Sequence, residues 1–391
     1  MADEFDPGNL VIVGAGFSLN AGLPLAGDFT RELLNLGRVV VDGPSARQIA
    51  FIKGFADRVF GEGAPRDADD WPDLEDIFTL IDLSANTGHH LGPHYSAGDL
   101  RVVRRAIIVR MIRMLSQAYA RKQRAPDAGW RALETLFGGF RADISAVLSM
   151  NWDTVFERGV ARAQKIRHMD YGCHARAVMF DKTTLVDRPL SGETLHILKP
   201  HGSVNWLYCD ACRETFWVPP SDTDKVAQTL FRRQDWSALP KPKTARLPAI
   251  RTPACPHCEA KSLGTRFATF SYRKALDFPM HSASWRTAER YLKGTADWVF
   301  IGYSMPAADF EFKHLLKRVQ LTEGDRPNIT IISGGKDADA TVERYKKFFG
   351  DVKGKRFVFK DGLDVDALRH LEKIKVFASG KVQKPLPRSR R

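Results

Sequence analysis

Apolar positions along this chain come in two rhythms. Short uninterrupted runs read as buried strands: Asn9 to Val13 (NLVIV), Ser145 to Ser149 (SAVLS), Thr194 to Leu198 (TLHIL), Trp298 to Ile301 (WVFI), Asn328 to Ile332 (NITII) and Arg356 to Phe359 (RFVF). Between residues 40 and 145 the spacing changes to that of helices. Leu74, Ile77, Phe78 and Ile81 form one stripe after Pro72, and Leu100, Val103, Ile107, Met111 and Met114 form another. Arg101, Arg104, Arg105 and Arg110 lie between the second set and are expected to make a solvated face. Ala85 to Gly98 (ANTGHHLGPHYSAG) reads as a loop. Helical patterns return over Ser284 to Leu292 and Asp309 to Leu321, between the later strands. Strands alternating with helices predict βαβ units and a parallel sheet in an α/β protein.

Several of the strands run directly into small or polar residues. The first breaks into Gly14-Ala15-Gly16-Phe17-Ser18, the second into Met150-Asn151-Trp152-Asp153 and the third into Lys199-Pro200-His201-Gly202-Ser203. The next two end at Gly302-Tyr303-Ser304 and Ser333-Gly334-Gly335. Ligands of open α/β sheets bind outside the carboxyl ends of strands, so these residues are expected to converge on one edge.

Composition narrows the class. The 391 residues are 43% hydrophobic, 27% charged and 10% aromatic, as in a globular protein. No stretch approaches the ~18 apolar residues of a membrane span, and the acidic start Met1 to Asp6 is unlike a signal peptide, so a cytoplasmic protein is expected. Net charge is +13, of which five charges sit in the acid-free end Gly380 to Arg391. The basic balance keeps nucleic-acid contact open.

Three groups of residues carry chemistry. The Gly14-Ala15-Gly16 turn suits close approach of backbone N–H groups to a pyrophosphate, although the same turn also joins strands to helices with no ligand. Cys209-x-x-Cys212 and Cys255-x-x-Cys258, with 42 residues between the pairs, fit one tetrahedral Zn²⁺, the alternatives being unrelated thiols or a disulfide. A closed four-thiolate site would be structural. The third group is His201, Asn151 and Asp153, a base, an amide and a carboxylate at strand ends. His89, His90 and His94 lack the acids and the spacing of a metal site. Cys173 reads as a packed thiol, and Trp152, Trp206 and Trp298 as packing residues. The expected organisation is a sheet domain from 1–40, 141–208 and 259–375, a helical subdomain over 41–140, a zinc module over 209–258, and a disordered basic tail over 376–391.

Taken together these motifs resemble the sirtuins, the NAD-consuming silent-information-regulator family. Gly14-Ala15-Gly16-Phe17-Ser18 with Gly22-Leu23-Pro24 is similar to the GAGxSxxxGIP opening of that family. Asn151-Trp152-Asp153 is similar to its N-x-D element and His201-Gly202-Ser203 to its H-G element, and the cysteine pairs come where sirtuins carry zinc. Gly302-Tyr303-Ser304-Met305-Pro306 with Asp309 resembles the GYSLPxxD element of a bacterial sirtuin-like branch. The resemblance implies a Rossmann-like NAD-binding sheet with helices on both faces, a helical insertion and a small zinc-binding module. It implies that Ala15, Gly16 and Ser18 line the pyrophosphate and ribose, with Gly14, Pro24 and Gly302 in the same cofactor-binding set. Asn151 and Asp153 would face the nicotinamide, His201 would be the general base, and Ser304, Ser333 and Gly334 would approach the adenosine. Two departures stand out. Leu25-Ala26-Gly27 replaces the D-F-R of deacylases, and Phe267 to Ser271 does not match the F-G-E strand that pairs with acyl-lysine peptides. The expected activity is therefore NAD⁺ hydrolysis to nicotinamide and ADP-ribose, as in the antiphage-defence members of the branch. A protein-lysine deacylase and a non-catalytic NAD or ADP-ribose sensor are the alternatives. By the same resemblance a homo-oligomer and a partner such as a DNA-translocating ATPase are expected.

Overall fold

The computed structural model describes residues 5–37, 39–61, 71–240, 252–265, 279–307, 309–322, 327–350 and 354–379. The basic stretch Lys241 to Arg251, the Phe267 to Ser271 segment and the end from Gly380 lie outside the described residues. The strands are β1 (Asn9–Val13), β2 (Ser145–Ser149), β3 (His168–Asp170), β4 (Arg176–Asp181), β5 (Thr184–Asp187), β6 (Thr194–Leu198), β7 (Trp206–Cys209), β8 (Thr215–Trp217), β9 (Leu263–Gly264), β10 (Asp297–Ile301), β11 (Asn328–Ile332) and β12 (Arg356–Phe359). The first seven helices are α1 (Ala15–Leu19), α2 (Phe29–Leu33), α3 (Gly43–Phe60), α4 (Leu74–Thr87), α5 (Ala97–Arg124), α6 (Ala128–Gly139) and α7 (Val155–Gln164). The remaining six are α8 (Thr223–Leu230), α9 (Arg233–Ala238), α10 (Pro279–Gly294), α11 (Phe310–Thr322), α12 (Ala338–Phe349) and α13 (Val365–Lys373).

Seven strands form one parallel sheet in the order β12-β11-β10-β1-β2-β6-β3. The apolar runs are continuous because both faces are covered. In β1, Val11 and Val13 pack into one core while Leu10 and Ile12 pack into the other. Residues of α10, α11 and α12, among them Tyr291, Phe312 and Tyr345, cover the second face. Each such fully buried side chain contributes roughly 1.5–3 kcal/mol of transfer free energy. No helix among the described residues is long and apolar enough to cross a membrane.

The helical region packs around α5, whose predicted stripe from Leu100 to Met114 is buried throughout. Its arginines form the expected solvated face only in part: Arg101 is exposed and Arg110 is buried, and all four also bond to neighbouring elements. Arg104 pairs with Asp82 at 2.6 Å, and Arg105 holds Asp235 of α9 through two bonds of 2.5 and 3.2 Å. Arg101 donates to the Ala85 carbonyl, and Arg110, only 3% exposed, donates to the Leu33 carbonyl. These side chains tie α5 to its neighbours. The loop expected over Ala85 to Gly98 is also shorter. Helix α4 runs to Thr87 and stops at Gly88, which takes a left-handed φ of 75°. Helix α5 starts on a capping box between Ser96 and Asp99.

A second sheet, in the order β5-β4-β8-β7-β9, carries the cysteine loops. It draws on more chain than the interval 209–258, because the β4–β5 hairpin precedes the first cysteine pair and β9 comes after the second. Its centre is aromatic: Trp206 and Trp217 meet Tyr171 edge-on at 5.2 and 5.7 Å. Trp206 and Trp298 are core residues, as their composition suggests. The disordered tail expected from residue 376 does not begin there. Val376 and Phe377 are buried, and Phe377 bridges to Phe140, because two apolar side chains find a groove beside the end of α6.

Candidate functional site

Strand order reverses between β1 and β10. The chain leaves β1 toward β2 on one side of the sheet, and leaves β10 toward β11 on the other. Such a switch point opens a crevice at the carboxyl ends, because the connecting loops diverge there. The turn after β1 and the turn after β10 flank it. Their backbones touch: Gly16 N–H donates to the Gly302 carbonyl at 2.8 Å, and Gly14 N–H to the Ile301 carbonyl at 3.2 Å. A Cβ on Gly302, which has φ +61°, would stand 2.1 Å from the Phe17 nitrogen. A Cβ on Gly14 would stand 2.6 Å from the Tyr303 Cα. Glycine is required here first for close packing of two chain segments.

The polar residues after β1, β2 and β6 form one connected group. Asn151 Nδ2 donates to the Gly14 carbonyl at 2.8 Å and to Ser18 Oγ at 3.0 Å. Ser18 Oγ in turn donates to Asp153 Oδ2 at 2.7 Å. The other Asp153 oxygen accepts the Val155 N–H at 2.9 Å at the start of α7. With its amide nitrogen committed to a carbonyl, Asn151 presents Oδ1 as an acceptor. His201 is 7% exposed, and its Nδ1 lies 3.3 Å from the Met150 carbonyl. A carbonyl can only accept, so Nδ1 is the donor in this contact. The ring meets Trp285 edge-on, with centroids 5.9 Å apart.

Beneath this group lies an ion pair that residue spacing does not announce. Lys199 Nζ is 3.1 Å from Glu157 Oε1, and the two side chains are 0% and 1% exposed. Lys199 also donates to the Asp153 carbonyl. Burial pushes the Glu157 carboxyl above its usual value, and the Lys199 charge opposes that shift. The pair joins the loop carrying His201 to the loop carrying Asp153. One pointer to it exists in the chain itself: Lys199 directly follows the buried pair Ile197-Leu198 at the end of β6 and sits two residues before His201.

Two contiguous cavities open above these residues. The narrower, of about 270 Å³, is lined by Gly14, Ala15, Ser18, Pro24, Asn151, Asp153, His201 and Ser304. The wider, of about 1020 Å³, is lined by Gly16, Gly302, Ser333 and Gly334 together with Ala15 and Ser304, which belong to both. Every residue that the resemblance gives a catalytic or cofactor-binding role at this edge therefore lines one of the two. The narrow cavity also has walls that sequence reasoning missed: Glu75 from α4 and Leu115 from α5. Both come from the helical region, whose side chains give no local sign of facing a cavity. Across the wide cavity Arg344 of α12 donates to the Ser304 carbonyl at 2.9 Å and so positions that turn. Tyr345 does the same for Tyr303 at 2.8 Å, and the Tyr303 hydroxyl donates to Asp309 at 2.9 Å.

The cysteines gather at the far end of the second sheet. The sulfurs of Cys209, Cys212, Cys255 and Cys258 all lie within 4.8 Å of one another. Cys209 and Cys258 sulfurs are 3.6 Å apart, and Cys212 and Cys255 sulfurs 3.7 Å. A tetrahedron of Zn–S bonds near 2.3 Å has an edge of roughly 3.8 Å, which these two separations match. The His257 N–H donates to Cys255 Sγ at 3.4 Å, as outer partners of metal thiolates do. Cys173 stands apart, and burial pushes its thiol up to about 12.

Fold and site together define a doubly wound α/β protein with a ligand crevice at its switch point and a four-cysteine cluster on a second sheet. No family model and no curated protein matches the chain. Among solved structures it is similar to Sir2 in complex with the inhibitor EX-527, 2'-O-acetyl-ADP-ribose and a deacetylated p53 peptide. That likeness has 11% identity over 94% of each chain and a TM-score of 0.34.

Proposed function

We propose that this protein is an NAD⁺ glycohydrolase. The observation that carries the proposal is the Ser18–Asn151–Asp153 chain with His201, set around a narrow cavity that continues into a wide one at the switch point. A dinucleotide lies naturally across such a crevice. Its nicotinamide riboside would occupy the narrow cavity and its ADP the wide one, with Ser333, Gly334 and Ser304 at the adenosine end.

Cleavage breaks the C1'–N bond. Its electron pair goes to the nicotinamide nitrogen, which becomes neutral and needs no acid. Oxocarbenium character builds on the ribose. A water oxygen then bonds to C1' and gives up its proton, leaving ADP-ribose. Asn151 Oδ1 orients the water or a ribose hydroxyl. Asp153, held by Ser18, takes the carboxamide. Nε2 of His201 accepts the proton, a role worth roughly 10²–10⁴-fold in rate. The four cysteines would hold a structural Zn²⁺ that ties the β7–β8 turn to the chain before β9. With every ligand position filled, it supplies folding energy and no catalytic step.

The test is purified protein with NAD⁺ alone, its products separated and weighed, beside His201→Ala. Nicotinamide and ADP-ribose in equal amounts are expected, falling about 100-fold or more in the variant. Undiminished cleavage by His201→Ala refutes the assignment. Turnover that appears only with an acylated peptide makes the protein a deacylase.

A further inference from the structure

A separate cavity, of about 500 Å³, is enclosed by the start of α3, the middle of α5, α8, Trp236 of α9 and the β4–β5 turn. Arg113 and Gln117 line it from α5. They stand four residues apart and so share a face, whereas Leu115, which lines the narrow cavity at the sheet edge, points the opposite way. Helix α5 is thus a common wall.

The lining is donor-rich. Arg113 and Lys182 face two carboxylates, Asp42 and Asp224, while Lys225 is paired with Asp222 at 3.2 Å. Arg113 is 12% exposed, and Asp42 lies 3.6 Å away, beyond the ~2.7–2.9 Å of a charge-assisted bond. The same Asp42 oxygen already accepts the Ser45 N–H at 2.6 Å as the cap of α3. Behind Gln117 stands Arg110, bonded to it at 3.4 Å and without an ion pair among the described residues. Burial lowers the Arg110 guanidinium to about 10, so it stays charged at neutral pH. One further donor is orphaned. Trp236 is 2% exposed, and its indole N–H has no partner among the described residues. Phe180 and Phe231 complete an aromatic wall.

We propose that this cavity binds a nucleoside phosphate. Arg113 supplies the planar fork that matches phosphate oxygens, with Lys182 at the rim. The base lies against Phe180, Phe231 and Trp236, and a base acceptor takes the orphaned indole N–H. The cavity is of the size that small-molecule sites have. Occupation would press on α5 and thereby on Leu115; that coupling, unlike the binding, rests on the proposed hydrolase reading.

The experiment is calorimetric titration of the full chain with AMP, GMP, CMP and ADP, and with inorganic pyrophosphate, in the absence of NAD⁺. Arg113→Gln removes the fork, and Gln228→Trp fills the cavity from an exposed helix position. Ser304→Trp fills the sheet-edge site instead. Far-UV circular dichroism checks that each variant is folded. At least one nucleotide is expected to bind with Kd below about 1 mM. Its Kd should rise about tenfold or more in Arg113→Gln and in Gln228→Trp and stay unchanged in Ser304→Trp. The proposal is overturned if no nucleotide binds, or if binding is lost in Ser304→Trp and kept in Arg113→Gln. Pyrophosphate binding as tightly as the nucleotides also overturns it, since the aromatic wall would then contribute nothing. None of these readouts depends on turnover, so failure here leaves the hydrolase reading standing.

Discussion

Replacing Lys199 by Met should cost this protein more stability than almost any other single change at the site. The methionine keeps most of the side-chain volume but removes the ammonium. Glu157, 1% exposed, is then a buried carboxylate without its cation. Breaking a buried pair from one side costs about 3–5 kcal/mol, much of it the desolvation of the charge left behind. The tie from Lys199 to the Asp153 carbonyl is lost as well. Removing both charges is different. Lys199→Met with Glu157→Leu leaves no uncompensated ion, and the double variant should recover most of the loss. Urea unfolding monitored by tryptophan fluorescence gives both numbers. The pH dependence has a definite sign. Burial already raises the Glu157 carboxyl, and losing Lys199 raises it further, so the folded single variant binds a proton more tightly than its unfolded chain. Its deficit should therefore shrink as pH falls from 7 toward the ordinary carboxylate value of about 4.3. Activity should stay low even in the double variant, because the loop carrying Asp153 has lost its anchor. A single variant within about 1 kcal/mol of wild type would refute the reasoning, as would a double variant no better than the single.

Gly302→Ala should destabilise by about 3 kcal/mol or more, since its Cβ meets the Phe17 nitrogen at 2.1 Å and its φ is positive. Gly335→Ala, also at positive φ but with nothing within 4 Å, should cost only about 1–2 kcal/mol in the same denaturation assay. Elemental analysis should find one zinc per chain, lost in Cys212→Ser, with the chelated protein exposing Trp206 and Trp217 to solvent in its fluorescence. Asp170 is held below the usual carboxylate range chiefly by the hydrogen bond from His196. That contribution is present above about pH 3.9 and fades as pH falls through the lower folded value, so Asp170→Asn should flatten the acid side of the stability curve.

The strand ends were legible because their signal is local. A run such as NLVIV, short, β-branched and ended by a Gly-rich turn, reads as a strand covered on both faces, and the residues after its last valine then lie at the sheet edge. The register of β1 with β10 and β2 then sets Gly14 beside Gly302 and Asn151. Cysteine spacing likewise announced a four-thiolate cluster. Sequence spacing missed the partners of the α5 arginines and the burial of Arg110, because a helix face reads as solvated until other elements pack on it. Asp82 and Asp235, which take up Arg104 and Arg105, lie 22 and 130 residues away.

By itself the sequence determined six of the seven strands of the parallel sheet, their polar ends and the cysteine cluster, all properties of residues a few positions apart; the short edge strand β3 carries no such run. Tertiary structure alone decided that Lys199 meets Glu157, that Glu75 and Leu115 close the narrow cavity, and that Arg113 and Trp236 share another. Those meetings depend on how distant elements cross, and the crossing is set by the summed packing of the whole core, which no local pattern of residues records.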